Sequence, residues 1–259
     1  MRLLTIPFGL LFGAYALIVS CIAAGFTGFT GVLPFAVLPR GQRETRIMYP
    51  ASWWATFVVR FVLLARPTIT GGYEPGPTGA LFISNHRSWL DPLLMMAYVR
   101  SQGLSKSTIK FIPFVGWFAR MAGTVFVDRD SLWSRKRAKD EVMFLVRSGA
   151  RLTLYPEGTR TRDGDMLRKV HLALVKDCFH EGLPVVPCAV WGTERTLPVG
   201  PPLAWPLQRC RLDIGTPLVP SDFPDADAFA KACWAEVTAR AERLRRENEV
   251  TPSSIERAA

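Results

Sequence analysis

The chain has 259 residues, with 32 Lys and Arg against 22 Asp and Glu, a formal net charge of +10, three histidines and five cysteines. That length suits one α/β domain with an appendage, and the charge points to anionic partners such as nucleic acid, phosphorylated substrates or acidic lipid. Cys21, Cys178, Cys188, Cys210 and Cys233 form no Cys-x-x-Cys pair, and His86, His171 and His180 are too few and too scattered for a multi-histidine centre, so a zinc site is not expected and the cysteines read as buried residues of a reducing compartment.

Leu3 to Pro39 contains no charged side chain. A helix over Leu3–Ala24 alone is long enough to cross a hydrocarbon core of about 30 Å. Gly25-Phe26-Thr27-Gly28-Phe29-Thr30-Gly31 is then expected to interrupt it, giving one span plus a short return or a re-entrant hairpin. A cleaved signal peptide fits less well, because the apolar run continues past any cleavage point. Ile18-Val19-Ser20-Cys21 resembles a lipoprotein box, but apolar sequence rather than a polar tether follows it. A retained anchor is the preferred reading. Arg40, Arg43 and Arg46 follow the span against Arg2 before it, which puts the bulk of the chain on the cytoplasmic side of an inner membrane. A second apolar stretch, Trp53–Ala65, is short and carries Arg60, so it is expected to lie in the interface.

Beyond Arg66-Pro67 the composition is that of a soluble domain. Expected strands are Ala80–Ser84, Thr124–Val127, Arg151–Tyr155, Val185–Val190 and Cys210–Ile214, alternating with helical segments, which argues for an α/β sheet. The clearest helix is Ser131–Ser148, capped at its start and closed by Gly149. A helix is expected over Arg168–Glu181, with His171 and His180 structural or on the surface. The last runs from about Asp227 to Asn248, with Phe229, Cys233, Val237, Ala241 and Leu244 on one face. Prolines bracket the strand start in Leu183-Pro184-Val185-Val186-Pro187, which places that piece at a sheet edge or entry. The chain divides into an anchor with its interfacial helix (1–66), a catalytic domain (67–248) and a disordered tail (249–259).

Two blocks carry candidate chemistry. Asn85-His86-Arg87-Ser88-Trp89-Leu90-Asp91 follows the apolar strand Ala80–Ser84. A histidine at a strand end with a carboxylate one turn into the next helix can serve as a general base whose tautomer is fixed. Equally, Ser88 to Asp91 fits a helix capping box with Pro92 behind it. Tyr155-Pro156-Glu157-Gly158-Thr159-Arg160-Thr161-Arg162 follows another strand. Arg160 offers a fork for phosphate, Arg162 further charge, and Glu157 acceptors for a hydroxylated substrate; a surface turn with solvated arginines fits the same residues. Between the blocks, Lys106 to Arg129 flanks an aromatic, proline-kinked stretch with basic residues. It suits a surface meeting phosphates and an acyl chain, or a loop packing its aromatics inward.

In this order the blocks resemble those of the membrane-bound glycerolipid acyltransferases, the 1-acylglycerol-3-phosphate acyltransferase family. That family's Asn-His-x-x-x-x-Asp block stands at Asn85–Asp91, its Lys…Pro-x-x-Gly…Phe-x-x-Arg stretch at Lys106–Arg129, its Pro-Glu-Gly-Thr-Arg at Pro156–Arg160 and its Val/Leu-Pro-Val-x-Pro at Leu183–Pro187. The likeness covers roughly residues 78–200, and Gly192-Thr193-Glu194-Arg195-Thr196-Leu197-Pro198 looks like the segment that often comes after the fourth block in bacterial members. One departure is Arg168-Lys169-Val170-His171 where members often carry Lys-Lys-Gly or Lys-Arg-Gly.

The resemblance implies an α/β fold with a mixed sheet flanked by helices. It also implies transfer of a fatty acyl group from acyl-CoA or acyl carrier protein to the sn-2 hydroxyl of a lysophospholipid, by default lysophosphatidic acid. His86 would be the base and Asp91 its orienter. Substrate contacts would come from Asn85, Arg87, Ser88, Lys106, Arg129, Glu157, Gly158, Thr159 and Arg160. The bilayer, the lysolipid and the acyl donor are the expected partners, without nucleic acid, and no cofactor beyond the donor is expected. The alternatives are another acceptor such as lyso-ornithine lipid, a membrane-bound thioesterase or phosphoesterase using His86 and Asp91 on water, and a non-catalytic binder of RNA or acidic protein. Cys178 and Cys188 are candidate nucleophiles without a placed partner.

Overall fold

The computed structural model describes residues 2–73, 78–112, 115–128, 130–160, 170–200 and 202–249. Helix α1 (Arg2–Thr27) continues through a π-helical turn (Gly28–Val32) and a 3-10 turn (Leu33–Val37). Ile6–Val37 is long and apolar enough to cross a membrane. The expected interruption at Gly25–Gly31 is therefore corrected: the helical path runs on and turns only after Val37. Gly28 and Gly31 serve close packing instead of a break, while Gly25 faces open space. A Cβ on Gly28 would come within 2.5 Å of Met121, and one on Gly31 within 2.7 Å of Pro50.

Helix α2 (Gln42–Phe57) is extended by a π-helical turn (Val58–Val62). Ala51, Trp54, Ala55, Val58, Val59 and Val62 are buried, while Trp53 and Phe61 face outward. Trp53, Phe57 and Phe61 stack in series at helical spacing. The stretch expected to lie flat is thus an amphipathic helix with a packed side and an aromatic side.

Seven strands form one sheet: β1 (Arg66–Gly71), β2 (Ala80–Ser84), β3 (Gln102–Lys106), β4 (Val125–Val127), β5 (Arg151–Leu154), β6 (Val185–Trp191) and β7 (Arg209–Ile214). Their order is β1-β7-β6-β2-β5-β3-β4. Every neighbouring pair is parallel except β6 with β7, so the sheet is mixed. The helices are α3 (Leu90–Leu94), α4 (Val115–Met121), α5 (Leu132–Arg147), α6 (Ala173–His180), the short α7 (Thr193–Thr196) and α8 (Ala226–Glu249).

Strand β2 lies at the centre and is buried on both faces, as its unbroken apolar run requires. Phe82 points into a core shared with α1, α2 and α3; Leu81 and Ile83 point into a second core with α5, α6 and α8. Ser131 caps α5 by accepting from Ser134 N at 3.2 Å. Phe229, Cys233, Val237 and Leu244 of α8 are buried on one face.

Three expectations need correction or limit. Strand β6 sits between β7 and β2, so Pro187 is in the sheet interior and not at an edge. Its missing N–H costs nothing there, because antiparallel pairing with β7 begins only at Cys188↔Ile214, while the Pro187 carbonyl accepts from Gly215 N at 2.8 Å. The helix expected from Arg168 begins at Ala173, and residues 161–169 lie outside the described residues, as do Arg129 and the tail beyond 249. Strands β1 and β3 are additions to the expected set.

Candidate active site

Because β2 and β5 are adjacent and parallel, the residues that follow them emerge at the same sheet edge. Asn85 is 1 % exposed and ties this edge together. Its Nδ2 donates to Val190 O at 3.0 Å and its Oδ1 accepts from Val190 N at 2.8 Å, locking the chain before His86 to β6. The fixed loop then carries His86 into position.

His86 Nδ1 lies 2.8 Å from Asp91 Oδ2. The same oxygen accepts from Arg87 N at 2.6 Å and Ser88 N at 2.8 Å, while Ser88 Oγ accepts from Leu90 N at 3.0 Å. The capping geometry and the His–Asp pair, posed as alternatives by the sequence, are the same carboxylate doing both. Asp91 is fully buried and the His86 side chain keeps 15 % exposure. With Nδ1 turned to Asp91, Nε2 is the nitrogen left for chemistry, the arrangement of an oriented general base.

Glu157, 5 % exposed, accepts from His86 N through Oε1 at 2.9 Å, so the second block grips the backbone of the first. Gly158 has φ +69° and donates its N–H to Tyr155 O at 3.0 Å, a left-handed turn that suits glycine. Tyr155 stacks on the imidazole, centroids 4.1 Å apart and planes within 19°. Burial, then the Asp91 charge, pushes its phenol well above the ordinary tyrosine range. Arg160 lies over Trp89, guanidinium carbon 3.9 Å from the ring centroid. Burial lowers its pKa against the opposing pull of Asp91, and its Nη1 is buried with no hydrogen-bond partner.

Of the residues expected to touch substrate, several are occupied within the framework. Asn85 is bonded to β6. Ser88 Oγ donates to Leu197 O at 2.7 Å. Arg87 forks onto Glu194 of α7, Nε to Oε2 at 2.9 Å and Nη2 to Oε1 at 3.1 Å, which joins the loop after β2 to the loop after β6. Lys106 is exposed at the end of β3, and Thr159 is exposed beside the turn. His86, Asp91, Glu157, Gly158 and Arg160 come together. Sequence reasoning missed Trp89 and Tyr155; both sit inside the motifs, and period-2 alternation already put Tyr155 on the face of Thr153.

A cavity of about 560 Å³ opens from His86 between the sheet edge, α1, α2 and α4. Its walls include Ala16, Trp54, Met96, Gly103, Phe118 and Tyr155, an apolar lining with the imidazole as its reactive group. That volume is within the range of about 300–1,000 Å³ typical of small-molecule sites. Cys178 and Cys188 are fully buried, and burial pushes each thiol to about 12, so neither is a thiolate at neutral pH. Among the described residues no group of three or more His, Cys, Asp or Glu is placed to hold a metal.

The acyltransferase family model matches residues 68–191. The chain is 30 % identical over 189 residues to a chloroplastic 1-acyl-sn-glycerol-3-phosphate acyltransferase of Brassica napus, covering 70 % of this chain and 54 % of that one. It is 32 % identical over 154 residues to the lyso-ornithine lipid O-acyltransferase of Pseudomonas aeruginosa, covering 60 % and 55 %. It is 31 % identical over 181 residues to the 1-acyl-sn-glycerol-3-phosphate acyltransferase of Saccharomyces cerevisiae, covering 67 % and 58 %. The chain thus spans little more than half the length of these curated relatives. The fold matches the crystal structure of the 1-acyl-sn-glycerophosphate acyltransferase of Thermotoga maritima with a TM-score of 0.78 at 23 % identity, over 95 % of this chain and 98 % of that one. Residues 68–191 thus carry the acyltransferase domain, and the chain is similar to the 1-acylglycerol-3-phosphate and related glycerolipid acyltransferases.

Proposed function

We propose that the chain transfers a fatty acyl group from a thioester, acyl-CoA or acyl carrier protein, to the free sn-2 hydroxyl of lysophosphatidic acid, giving phosphatidic acid. The observation that carries this reading is the His86–Asp91 pair, 2.8 Å apart, on the wall of an apolar cavity. An alcohol is a poor nucleophile at neutral pH. His86 Nε2 takes its proton as the oxygen attacks the thioester carbon, and Asp91 stabilises the imidazolium. The tetrahedral intermediate collapses with cleavage of the carbon–sulfur bond, and the imidazolium returns the proton to the departing thiolate. The thioester is already activated, so the step calls on no metal and no enzyme-bound acyl group.

The acceptor assignment rests on Arg160. A half-buried guanidinium whose Nη1 has no protein partner, held by stacking on Trp89, is matched by a phosphate. An ornithine headgroup offers a carboxylate in place of the phosphate but brings an ammonium beside it, so it complements a lone cation less well. Helix α1 would hold the pocket at the bilayer, with residues 1–66 as anchor and 67–248 as the catalytic part on the cytoplasmic side, so that a membrane-resident acceptor and a soluble anionic donor both reach it. Membranes carrying the full chain, given labelled acyl-CoA with lysophosphatidic acid or lyso-ornithine lipid, test the reading. Labelled phosphatidic acid is expected; label only in ornithine lipid would move the acceptor, and label only in free fatty acid would mark a thioesterase.

A further inference from the structure

A second cleft, of about 640 Å³, lies at the β1 edge of the sheet and shares no lining residue with the His86 cavity. Arg60 and Phe61 of the α2 extension, the first residues of β1 and β7, and Asn248 of α8 bound it. Arg66 and Arg209 are direct register partners, and Arg211 stands two residues on, opposite Thr68. Residues in register on neighbouring strands project from the same face, so these guanidiniums share one patch, and like charges so placed repel. Arg211 is paired with Glu247, and Arg60 donates to Tyr98 Oη at 2.9 Å. Neither Arg66 nor Arg209 has a carboxylate partner among the described residues.

Charged side chains also protect an edge strand from pairing, but that role does not account for what borders the cleft. Leu64 and Leu207 both adopt left-handed backbone, φ 51° and 62°, a strained conformation for a residue other than glycine. They are joined by Leu207 N donating to Leu64 O at 3.0 Å. The strained pair is apolar and faces outward, 39 % and 54 % exposed, beside Phe61 at 66 %. The apolar rim continues toward α1, where Phe8 meets Trp205 with ring centroids 6.3 Å apart.

We propose that this cleft binds the phosphate headgroup of an anionic bilayer lipid. Arg66 and Arg209 hold the phosphate, relieving their mutual repulsion, while Phe61, Leu64 and Leu207 enter the acyl region beside it. Cationic residues behind an apolar tip are the complement of an anionic membrane surface. The site stands independently of the acyl-transfer reading.

The test uses the full chain purified in neutral detergent and measures retention of fluorescent phosphatidylglycerol against phosphatidylcholine. Phosphatidylglycerol should be preferred, and Arg66→Gln/Arg209→Gln should weaken its retention about tenfold, the loss of a charge-assisted phosphate clamp, with unchanged thermal unfolding. Leu64→Gly/Leu207→Gly, in which glycine accepts the same backbone, should weaken retention on phosphatidylglycerol vesicles while the protein stays folded. Excess soluble glycerol phosphate should not displace the lipid. Equal retention of the two lipids, or undiminished retention by the double arginine variant, would overturn the site. Complete displacement by glycerol phosphate would overturn its assignment to lipid.

Discussion

Tyr155 covers one face of the His86 imidazole, ring centroids 4.1 Å apart, and its hydroxyl is buried without a hydrogen-bond partner. The aromatic face therefore restrains the base, and the hydroxyl contributes nothing visible to that task. Tyr155→Phe is expected to keep the turnover number and to raise stability by about 1 kcal/mol, since it removes a buried unpaired group. Tyr155→Ala, which frees the ring to leave Asp91, should lower kcat by about a hundredfold at nearly constant KM. Steady-state kinetics and thermal unfolding on the pair of variants check both statements.

Gly103 offers a direct handle on the cavity. It lines the wall, and a Cβ built on it meets nothing within 4 Å. Gly103→Leu should therefore fold normally while occupying space meant for the acyl chain. Competition between donors of different length should shift toward chains shorter by a few carbons. An unchanged length profile would place the acyl chain elsewhere.

Trp89 holds Arg160 from below, and the ring remains 45 % exposed. Trp89→Leu removes a cation–π contact of about 1 kcal/mol, so the KM for lysophosphatidic acid should rise roughly fivefold with a smaller change in kcat. Arg160→Gln should raise it further. A fall in kcat alone would assign the stack a role in fold and not in acceptor binding.

Asp213 of β7 predicts a pH effect on stability. Burial pushes its carboxyl up, but hydrogen bonds from Thr70 at 2.7 Å and Arg240 at 2.8 Å, with the charges of Arg240 and Arg243, bring it below the usual value. A depressed folded-state pKa contributes stability that is fully present above the unfolded value of about 3.9 and is lost as pH falls through the folded one. Asp213→Asn should cost about 2–4 kcal/mol at neutral pH, because it takes the near carboxylate from the largely enclosed Arg240 and leaves it only Glu236 at 3.5 Å. It should also flatten the acid limb of the stability curve. Denaturant unfolding between pH 3 and 7 reads both effects.

The parts legible from sequence were those governed by local chemistry. Ala80–Ser84 is an unbroken apolar run because β2 is buried on both faces, and the motifs after β2 and β5 lie where two parallel strands must end together. The polar strand Gln102–Lys106 was hidden because much of it lines a cavity or faces solvent. Arg66–Gly71 was hidden because an edge strand needs no apolar alternation. Gly25–Gly31 read as a break since helix propensity disfavours glycine, whereas Gly28 and Gly31 let Met121 and Pro50 approach the helix closely. Pairings between distant segments, Arg87 with Glu194 and Trp89 with Arg160, leave no periodic trace in either segment. They decide which charged residues are spent on the framework and which remain for a substrate.

The most direct measurement is acyl transfer to lysophosphatidic acid by His86→Ala, in membranes where expression and unfolding temperature match the parent chain. Removing a general base should lower turnover by about 10²–10⁴-fold, with KM for the acceptor little changed. Turnover within a few-fold of the parent chain would contradict the assignment of His86 Nε2 as the group that takes the hydroxyl proton.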